Sequence, residues 1–147
     1  LLRARQRADG GWQDRWHVSP YYATACCVLA LADFGGDAYR DVLDRAVRWT
    51  LDTQRDDGSW GRWAGTAEET AYALHILIRG TAVRDERCAT AIARGYARLR
   101  RASREEHPAL WHDKDLYLPR AIVEAVILAA RHLAEQDSPN IATYATT

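Results

Sequence analysis

The chain contains no methionine and only three cysteines among its 147 residues. Cys26 and Cys27 are neighbours and Cys88 stands apart, so no Cys-x-x-Cys pair exists. Because zinc sites and disulfide frameworks need several spaced cysteines, we expect neither in this chain. The three residues are instead predicted to be small members of the core.

Excess charge and long apolar runs are also absent. Formal net charge is zero, and no basic cluster is interleaved with aromatic residues, which argues against nucleic acid as a partner and against electrostatic membrane attachment. The longest apolar run, residues 23–32, is far shorter than the about 20 residues of a membrane span. With no transmembrane segment and no signal-peptide pattern, we expect a cytoplasmic protein.

One short element occurs twice, at residues 6–12 and 54–60, and an apolar segment follows each copy. Both copies contain a Gln, an Asp-Gly pair and a Trp at equal spacing. A period of 48 residues is typical of paired-helix architectures, whose units bury their apolar faces by stacking on one another. Since the chain also lacks an initiating methionine, we expect it to be a fragment of a larger ring.

Apolar periodicity predicts alternating inner and outer helices in an all-α chain. The inner, buried helices are predicted at residues 21–34, 67–78 and 121–130, and the outer, amphipathic ones at residues 41–54 and 84–101. Ser19-Pro20 is a start signal for the first helix, and Gly35 is a stop signal. This arrangement is an open arc over residues 1–136, followed by a loosely ordered tail at 137–147. An open arc leaves the edges of its inner layer uncovered.

Five of the six tryptophans lie in segments that precede buried helices. For Trp12 and Trp60 the favoured interpretation is structural, with the Gln amide bonding the exposed end of a neighbouring helix and the indole covering it. Trp16 and Trp63 follow the turn, nearer the mouth of an inner helix. An aromatic face directed into a dry cavity stabilises a cation by roughly 2 kcal/mol, so these two are candidate cavity residues.

Carboxylates occur in three groups, and each has a structural explanation beside a functional one. The groups are Asp56-Asp57, Glu68-Glu69 and Asp113-Lys114-Asp115. Asp57 belongs to the turn, and Thr66 with Glu69 matches a capping box in which Glu69 reaches back to the Thr66 amide. Lys114 favours a neutralised pair in the third group, although a magnesium or diphosphate role is the alternative.

The five histidines share no metal-ligand spacing, and the chain has no nucleophile elbow, phosphate-binding loop or HExxH motif. His75 and His132 are predicted to lie in the core or at its rim. His17, beside Trp16, is the candidate pocket histidine. The catalytic signal in the residues alone is therefore indirect.

The two Gln-x-x-Asp-Gly-x-Trp elements resemble the QW motifs of triterpene and class II terpene cyclases, which fold as α/α toroids. Residues 12–24 are similar to a segment of squalene-hopene cyclases that has Arg, Trp, Tyr and Thr at the same spacing. Residues 60–74 resemble the second half of that fold, with Glu68 and Glu69 as departures. The segments 16–22, 65–73 and 111–119 look more like bacterial class II diterpene cyclases.

The resemblance implies an enzyme that protonates the terminal alkene of a prenyl diphosphate, usually geranylgeranyl diphosphate, and forms a bicyclic diphosphate such as copalyl diphosphate. Magnesium normally assists diphosphate binding in such enzymes. Their general acid lies in an Asp-x-Asp-Asp motif, which this chain lacks, since Asp113-Lys114-Asp115 has no final Asp. We therefore expect the acid in a missing N-terminal part of the same polypeptide, and no activity from this chain alone.

By the same resemblance the chain supplies part of the cavity wall. Trp16 and Tyr22 are expected to stabilise cations, Tyr117 to lie at the third inner helix, and His17 to be a candidate proton acceptor. The further residues expected to contact the substrate are Tyr21, Trp63 and Glu68. No magnesium ligand is assigned to the chain.

Two other readings of the repeats remain open. The first is a helical-repeat interaction module that keeps the Gln-to-Trp turns as structural clamps, for which we expect a solvated concave face rather than an aromatic, dry one. The second is another α/α-toroid enzyme, such as a protein prenyltransferase subunit. Its Asp, Cys and His zinc ligands have no convincing counterpart in this sequence.

Overall fold

The computed structural model describes residues 1–81, 85–102, 107–112 and 119–137. These residues form six α-helices and one 3-10 turn, Asp37–Tyr39. The helices are α1 (Leu2–Arg5), α2 (Pro20–Phe34), α3 (Arg40–Asp52), α4 (Ala67–Gly80), α5 (Glu86–Arg101) and α6 (Arg120–Gln136). The described residues contain two isolated β-bridges and no strand, so the all-α prediction is confirmed. None of the helices in these ranges is long and apolar enough to cross a membrane.

Helix α4 is the centre of the described chain and packs against α2, α3, α5 and α6. All of its residues except Arg79 are buried, as expected from a sequence that is apolar around the whole helix. The predicted inner helix at residues 67–78 is therefore confirmed. It ends two residues later than predicted, at Gly80.

Helices α2 and α6 are less buried than their sequences predict. In α6 only Val123, Ile127, Ala130 and Ala134 are buried, which is a single stripe on one face. The prediction of a third all-round buried helix is wrong, because no described element covers the opposite face. Cys26 of α2 is likewise exposed rather than a core residue, while Cys88 is buried as predicted.

The outer helices α3 and α5 have the predicted amphipathic pattern, each with a buried stripe facing α4. Asp85 caps α5 by accepting a hydrogen bond from the Cys88 N–H at 2.8 Å. Gly95 in the middle of α5 costs helix propensity, and the structure gives the reason for it. A Cβ at this position would lie 2.7 Å from the Trp60 ring.

Each Gln of the repeated element ties its own turn to the next outer helix. The Gln6 amide donates to the carbonyls of Gly10 at 2.8 Å and Val42 at 2.9 Å. The Gln54 amide donates in the same way to Gly58 at 3.1 Å and Ala91 at 3.0 Å. These outer-helix carbonyls belong to the first turn of α3 and the second turn of α5. The predicted clamp exists, but it does not bond the last carbonyls of a helix.

The indoles of the element bond carbonyls of the preceding helix. Trp60 is fully buried, and its Nε1 donates to the Thr50 carbonyl in the last turn of α3 at 2.7 Å. Trp12 Nε1 donates to the Leu2 carbonyl of α1 at 3.0 Å. Bonding and covering a helix carbonyl is the structural role predicted for both tryptophans, although the Thr50 carbonyl also accepts from the Thr53 N–H at 3.4 Å and the Thr53 hydroxyl at 3.2 Å.

Candidate functional site

Glu68, in the first turn of α4, is completely buried and lies at the centre of a polar cluster. Its Oε1 accepts hydrogen bonds from Trp111 Nε1 at 3.0 Å, His17 Nε2 at 3.1 Å and the Tyr72 hydroxyl at 3.4 Å. Its Oε2 has no hydrogen-bond partner among the described residues. A buried carboxylate oxygen without a donor costs about 1–3 kcal/mol or more. Fold stability therefore does not explain this arrangement.

The loop before α2 fixes His17 in place, with only 1% of the residue exposed. Asp14 Oδ1 accepts the N–H groups of Trp16 at 2.8 Å and of His17 at 2.9 Å, which closes the turn. Both the N–H and the carbonyl of Ser19 lie 3.1 Å from His17 Nδ1. With Nδ1 accepting the Ser19 N–H, the imidazole donates its Nε2–H to Glu68.

Four rings surround the buried carboxylate, and we call them the aromatic cluster: His17, Tyr22, Tyr72 and Trp111. The imidazole stacks on Tyr22 at 5.3 Å and meets the edges of Trp111 at 5.0 Å and Tyr72 at 5.9 Å. Tyr22 also contacts Trp111 at 4.8 Å and Tyr72 at 5.5 Å. Offset and edge contacts of this kind are the favourable arrangements for aromatic rings.

Burial keeps both tyrosines of the aromatic cluster protonated. It raises the pKa of Tyr22 to about 12, and burial followed by the nearby Glu68 charge raises the pKa of Tyr72 above its usual range. The Tyr72 hydroxyl is thus a hydrogen-bond donor to Glu68 at neutral pH.

Trp111 is a site residue that the sequence did not identify. Its segment is drawn to the loop before α2 by two backbone bonds, His112 N–H to the Trp16 carbonyl at 2.6 Å and Val18 N–H to the Leu110 carbonyl at 2.8 Å. The available signal was its position in the segment before a predicted inner helix, which it shares with Trp16 and Trp63.

An apolar groove of about 560 Å³ opens beside the aromatic cluster, between α2, α4 and α6. Tyr22 and Tyr72 belong to both, so they form the wall between the buried carboxylate and the groove. The other larger side chains that line it are Cys26, Leu29, His75, Ile122 and Val126. Burial lowers the pKa of His75, which keeps the groove uncharged at neutral pH.

Three more of the predicted site residues, Tyr21, Trp16 and Trp63, lie outside the aromatic cluster and do not line the groove. Tyr21 is buried with its ring 4.8 Å from Trp49 of α3. Trp16 is 46% exposed and Trp63 is 66% exposed, and each carries the guanidinium of the preceding arginine over its ring. Tyr117 lies outside the described residues. The structure thus brings together His17, Tyr22 and Glu68 of the predicted set.

Glu69 caps α4, but not as the capping-box prediction has it. Its N–H donates to the Thr66 hydroxyl oxygen at 3.1 Å, as expected. Its carboxylate, however, accepts from the Thr66 hydroxyl and from the Arg62 N–H, both at 2.8 Å. The Thr66 amide is unavailable because it donates to the Trp60 carbonyl at 3.0 Å.

The described residues contain no group of three or more His, Cys, Asp or Glu side chains that could hold a metal ion. Asp113 and Asp115, the carboxylates considered for magnesium, lie outside these residues. The magnesium expected from the family resemblance therefore has no site in the described part of the chain.

Comparison with known proteins gives a consistent result. Residues 1–117 match the family model described as squalene-hopene cyclase C-terminal domain. The chain is 55% identical over 128 residues to a copalyl diphosphate synthase from Streptomyces anulatus, covering 86% of this chain and 23% of that protein. A type B diterpene cyclase from Mycobacterium tuberculosis is 36% identical over 130 residues, with 86% of this chain and 25% of that protein covered. The chain thus spans about a quarter of the length of these relatives.

Solved structures resemble the chain in fold as well. The ent-copalyl diphosphate synthase from Streptomyces platensis superposes with a TM-score of 0.84 at 50% identity, covering 91% of this chain and 26% of that one. A type II terpene cyclase from Scytonema, in complex with geranylgeranyl dihydroxybenzoate, gives a TM-score of 0.65 at 28% identity, covering 70% of this chain and 30% of that one. The predicted partial α/α toroid is confirmed.

Proposed function

Because the chain belongs to the squalene-hopene cyclase C-terminal domain family, we propose that it forms part of the active-site wall of a class II diterpene cyclase. The whole enzyme protonates a prenyl diphosphate, geranylgeranyl diphosphate in our proposal, and converts it into a copalyl-type bicyclic diphosphate. The product is supported by two similar proteins, a copalyl diphosphate synthase at 55% identity and an ent-copalyl diphosphate synthase at 50% identity.

The observation that carries the proposal is the apolar groove with tyrosine rings at its wall. A carbocation formed on a hydrocarbon chain survives only where water is excluded. Aromatic faces stabilise such a charge by roughly 2 kcal/mol when desolvated, through the negative face of the ring. Tyr22 and Tyr72 supply these faces, and small and branched apolar side chains supply the rest of the lining.

Two observations argue against the other interpretations of the repeats, the interaction module and the prenyltransferase-type enzyme. A helical-repeat interaction module is expected to present a solvated concave face, whereas this lining is apolar almost throughout. A prenyltransferase-type zinc enzyme needs a cluster of metal ligands, and none exists within residues 1–81, 85–102, 107–112 and 119–137.

The remainder of a longer polypeptide is the proposed partner of this chain. In the proposal it supplies the Asp-x-Asp-Asp acid, which the chain lacks. Exposed apolar side chains on α6 support such a partner, since Ile122 is 54% exposed and Leu128 is 68% exposed. Large apolar side chains left exposed on a helix are typical of a surface that another element covers.

The proposal also includes a metal ion and a compartment. Magnesium would bind the substrate diphosphate through residues of the rest of the polypeptide. A cytoplasmic location is supported by Cys26 and Cys27, which are neighbouring free thiols, as is usual in a reducing compartment.

The full-length protein that contains this chain tests the proposal. Incubated with geranylgeranyl diphosphate and magnesium, then treated with phosphatase, it should release a bicyclic diterpene alcohol detectable by gas chromatography and mass spectrometry. The matched control is the same protein with the proposed acid replaced by Asn, which should return only the alcohol of the substrate. Recovery of unchanged substrate from the folded, unmodified protein would contradict the proposal.

A further inference from the structure

Tyr72 connects the groove to the buried carboxylate. Its side chain lines the groove, and its hydroxyl lies 3.4 Å from Glu68 Oε1. Glu68 has three donors on one oxygen and none on the other, so lone pairs remain free on Oε2. An acceptor-only carboxylate matches these three donors, because the Trp111 indole can donate and cannot accept.

We propose that Glu68 is the terminal proton acceptor of the cyclisation and that it receives the proton through the Tyr72 hydroxyl. This inference rests on the proposed cyclase function and adds to it the residues that end the reaction. The cyclised cation must lose a proton to become an alkene. The geometry of the aromatic cluster identifies Tyr72 and Glu68 as the residues that take it.

The chemical step balances in atoms and charge. A C–H bond next to the cationic carbon breaks, and its electron pair becomes the second bond of the product alkene. The proton goes to the Tyr72 hydroxyl oxygen while Tyr72 gives its own proton to the Glu68 carboxylate. A cation and a carboxylate are thereby converted into a neutral alkene and a carboxylic acid, and Tyr72 ends as a neutral phenol.

His17, the candidate acceptor from the family resemblance, has a different part in this arrangement. Its Nε2–H donates to Glu68, its Nδ1 accepts the Ser19 N–H, and it does not line the groove. Both ring nitrogens are therefore engaged. His17 and Trp111 act as positioning residues that hold Glu68 Oε1 within reach of Tyr72.

His75 is the competing acceptor, because it also lines the groove and its Nδ1 has no hydrogen-bond partner among the described residues. That nitrogen is fully buried, so substrate carbon reaches it only if the helix packing changes. Glu68 is preferred because Tyr72 lines the groove and its hydroxyl already bonds the carboxylate.

The test is product analysis of the full-length enzyme with geranylgeranyl diphosphate, comparing Glu68→Gln and Tyr72→Phe with the unmodified protein. Both variants should lower the rate of forming the normal alkene by about 10²-fold or more, the usual contribution of a positioned base. The cation should then lose a different proton or capture water, so new alkene isomers or alcohols appear. A merely structural role would lower all products together and leave their ratio unchanged.

Glu69→Gln is the matched control, since Glu69 is the neighbouring buried carboxylate and bonds the Arg62 N–H and the Thr66 hydroxyl rather than the aromatic cluster. It should keep the normal product ratio. If Glu68→Gln gives that ratio too, or if His75→Gln alone changes it, the proton-acceptor assignment is wrong while the cyclase function stands.

Folding is checked by circular dichroism and thermal unfolding. If Glu68→Gln does not fold, Tyr72→Phe decides, because it removes only a hydroxyl, and an unchanged product ratio from it overturns the assignment. An unmodified protein that yields no bicyclic product is a separate result, which removes the proposed function and this inference together.

Discussion

His17 Nε2 lies 3.1 Å from Glu68 Oε1, and neither side chain is exposed, although 51 residues separate them in sequence. The pair joins the loop before α2 to the first turn of α4, and Trp111 joins the same carboxylate from the segment before α6. Glu68 Oε1 therefore links the start of α4 to the segments that precede α2 and α6. The aromatic wall of the groove depends on these links.

His17→Ala should destabilise the protein by about 1–3 kcal/mol, because it takes one hydrogen-bond donor away from a buried carboxylate. Urea unfolding of the full-length protein followed by circular dichroism measures this change. His112→Ala is the control, since His112 is exposed and its backbone bond is unaffected. Equal free energies of unfolding for the two variants would contradict the role given to His17.

Gly58→Ala should be more destabilising than Gly36→Ala. Both glycines have positive φ, at 85° and 61°, and Gly36 also has a ψ of −166°, so each substitution carries a backbone cost of about 1–3 kcal/mol. A Cβ at Gly58 would also lie 2.9 Å from the Arg94 carbonyl oxygen, whereas one at Gly36 meets nothing within 4 Å. The overpacking should add roughly 1–3 kcal/mol, measurable as a lower urea midpoint. Matching midpoints would show that the turn can move away from α5.

The contacts made by the two repeated Gln-to-Trp elements were predictable, because their sequence signal is local and occurs twice. Gln, Asp-Gly and Trp recur at fixed spacing, and each residue bonds within its own turn or to the adjacent helix. The burial of α4 was predictable for a similar reason, since its sequence is apolar on every side. The exact bonds were not, because the Thr66 N–H that a capping box uses donates to the Trp60 carbonyl instead.

The site could be predicted only in part. His17, Tyr22 and Glu68 were candidates, but Trp111 and Tyr72 join them through contacts that depend on how three segments far apart in sequence are placed. The burial of α6 was overestimated because apolar composition shows that a helix can be covered, and not what covers it. Ile122 and Leu128 are exposed for that reason.

Stability should depend on pH through His75. Burial lowers its pKa in the folded protein below the ordinary 6.5, so the unfolded chain binds a proton that the folded chain rejects. The stability is fully present above pH 6.5 and is lost as the pH falls through the folded pKa, at up to about 1.4 kcal/mol per pH unit. His75→Gln should flatten the unfolding free energy between pH 7 and pH 5.5, as the linkage relation requires.

His112→Gln, at an exposed position, should keep the slope of the unmodified protein. Unfolding by urea at several pH values gives both slopes. The same slope in His75→Gln and in the unmodified protein would show that His75 does not control this dependence.

Trp16→Ala should change the products or slow the full-length enzyme. Trp16 is half-exposed in this chain, and in the proposal the rest of the enzyme covers it and turns its surface into cavity wall. Loss of a cation–π contact worth about 0.5–2 kcal/mol corresponds to a rate reduced about 2- to 30-fold. Phe34→Ala, 90% exposed at the other end of α2, is the control. An unaltered product profile and rate would remove Trp16 from the cavity.

The most direct test of the account is a crystal structure of the full-length protein with an unreactive analogue of geranylgeranyl diphosphate. We expect the prenyl chain to lie in the groove between α2, α4 and α6, with carbon atoms within about 4.0–4.5 Å of the Tyr22 and Tyr72 rings. A groove filled by side chains from the rest of the protein, with the analogue bound elsewhere, would contradict it.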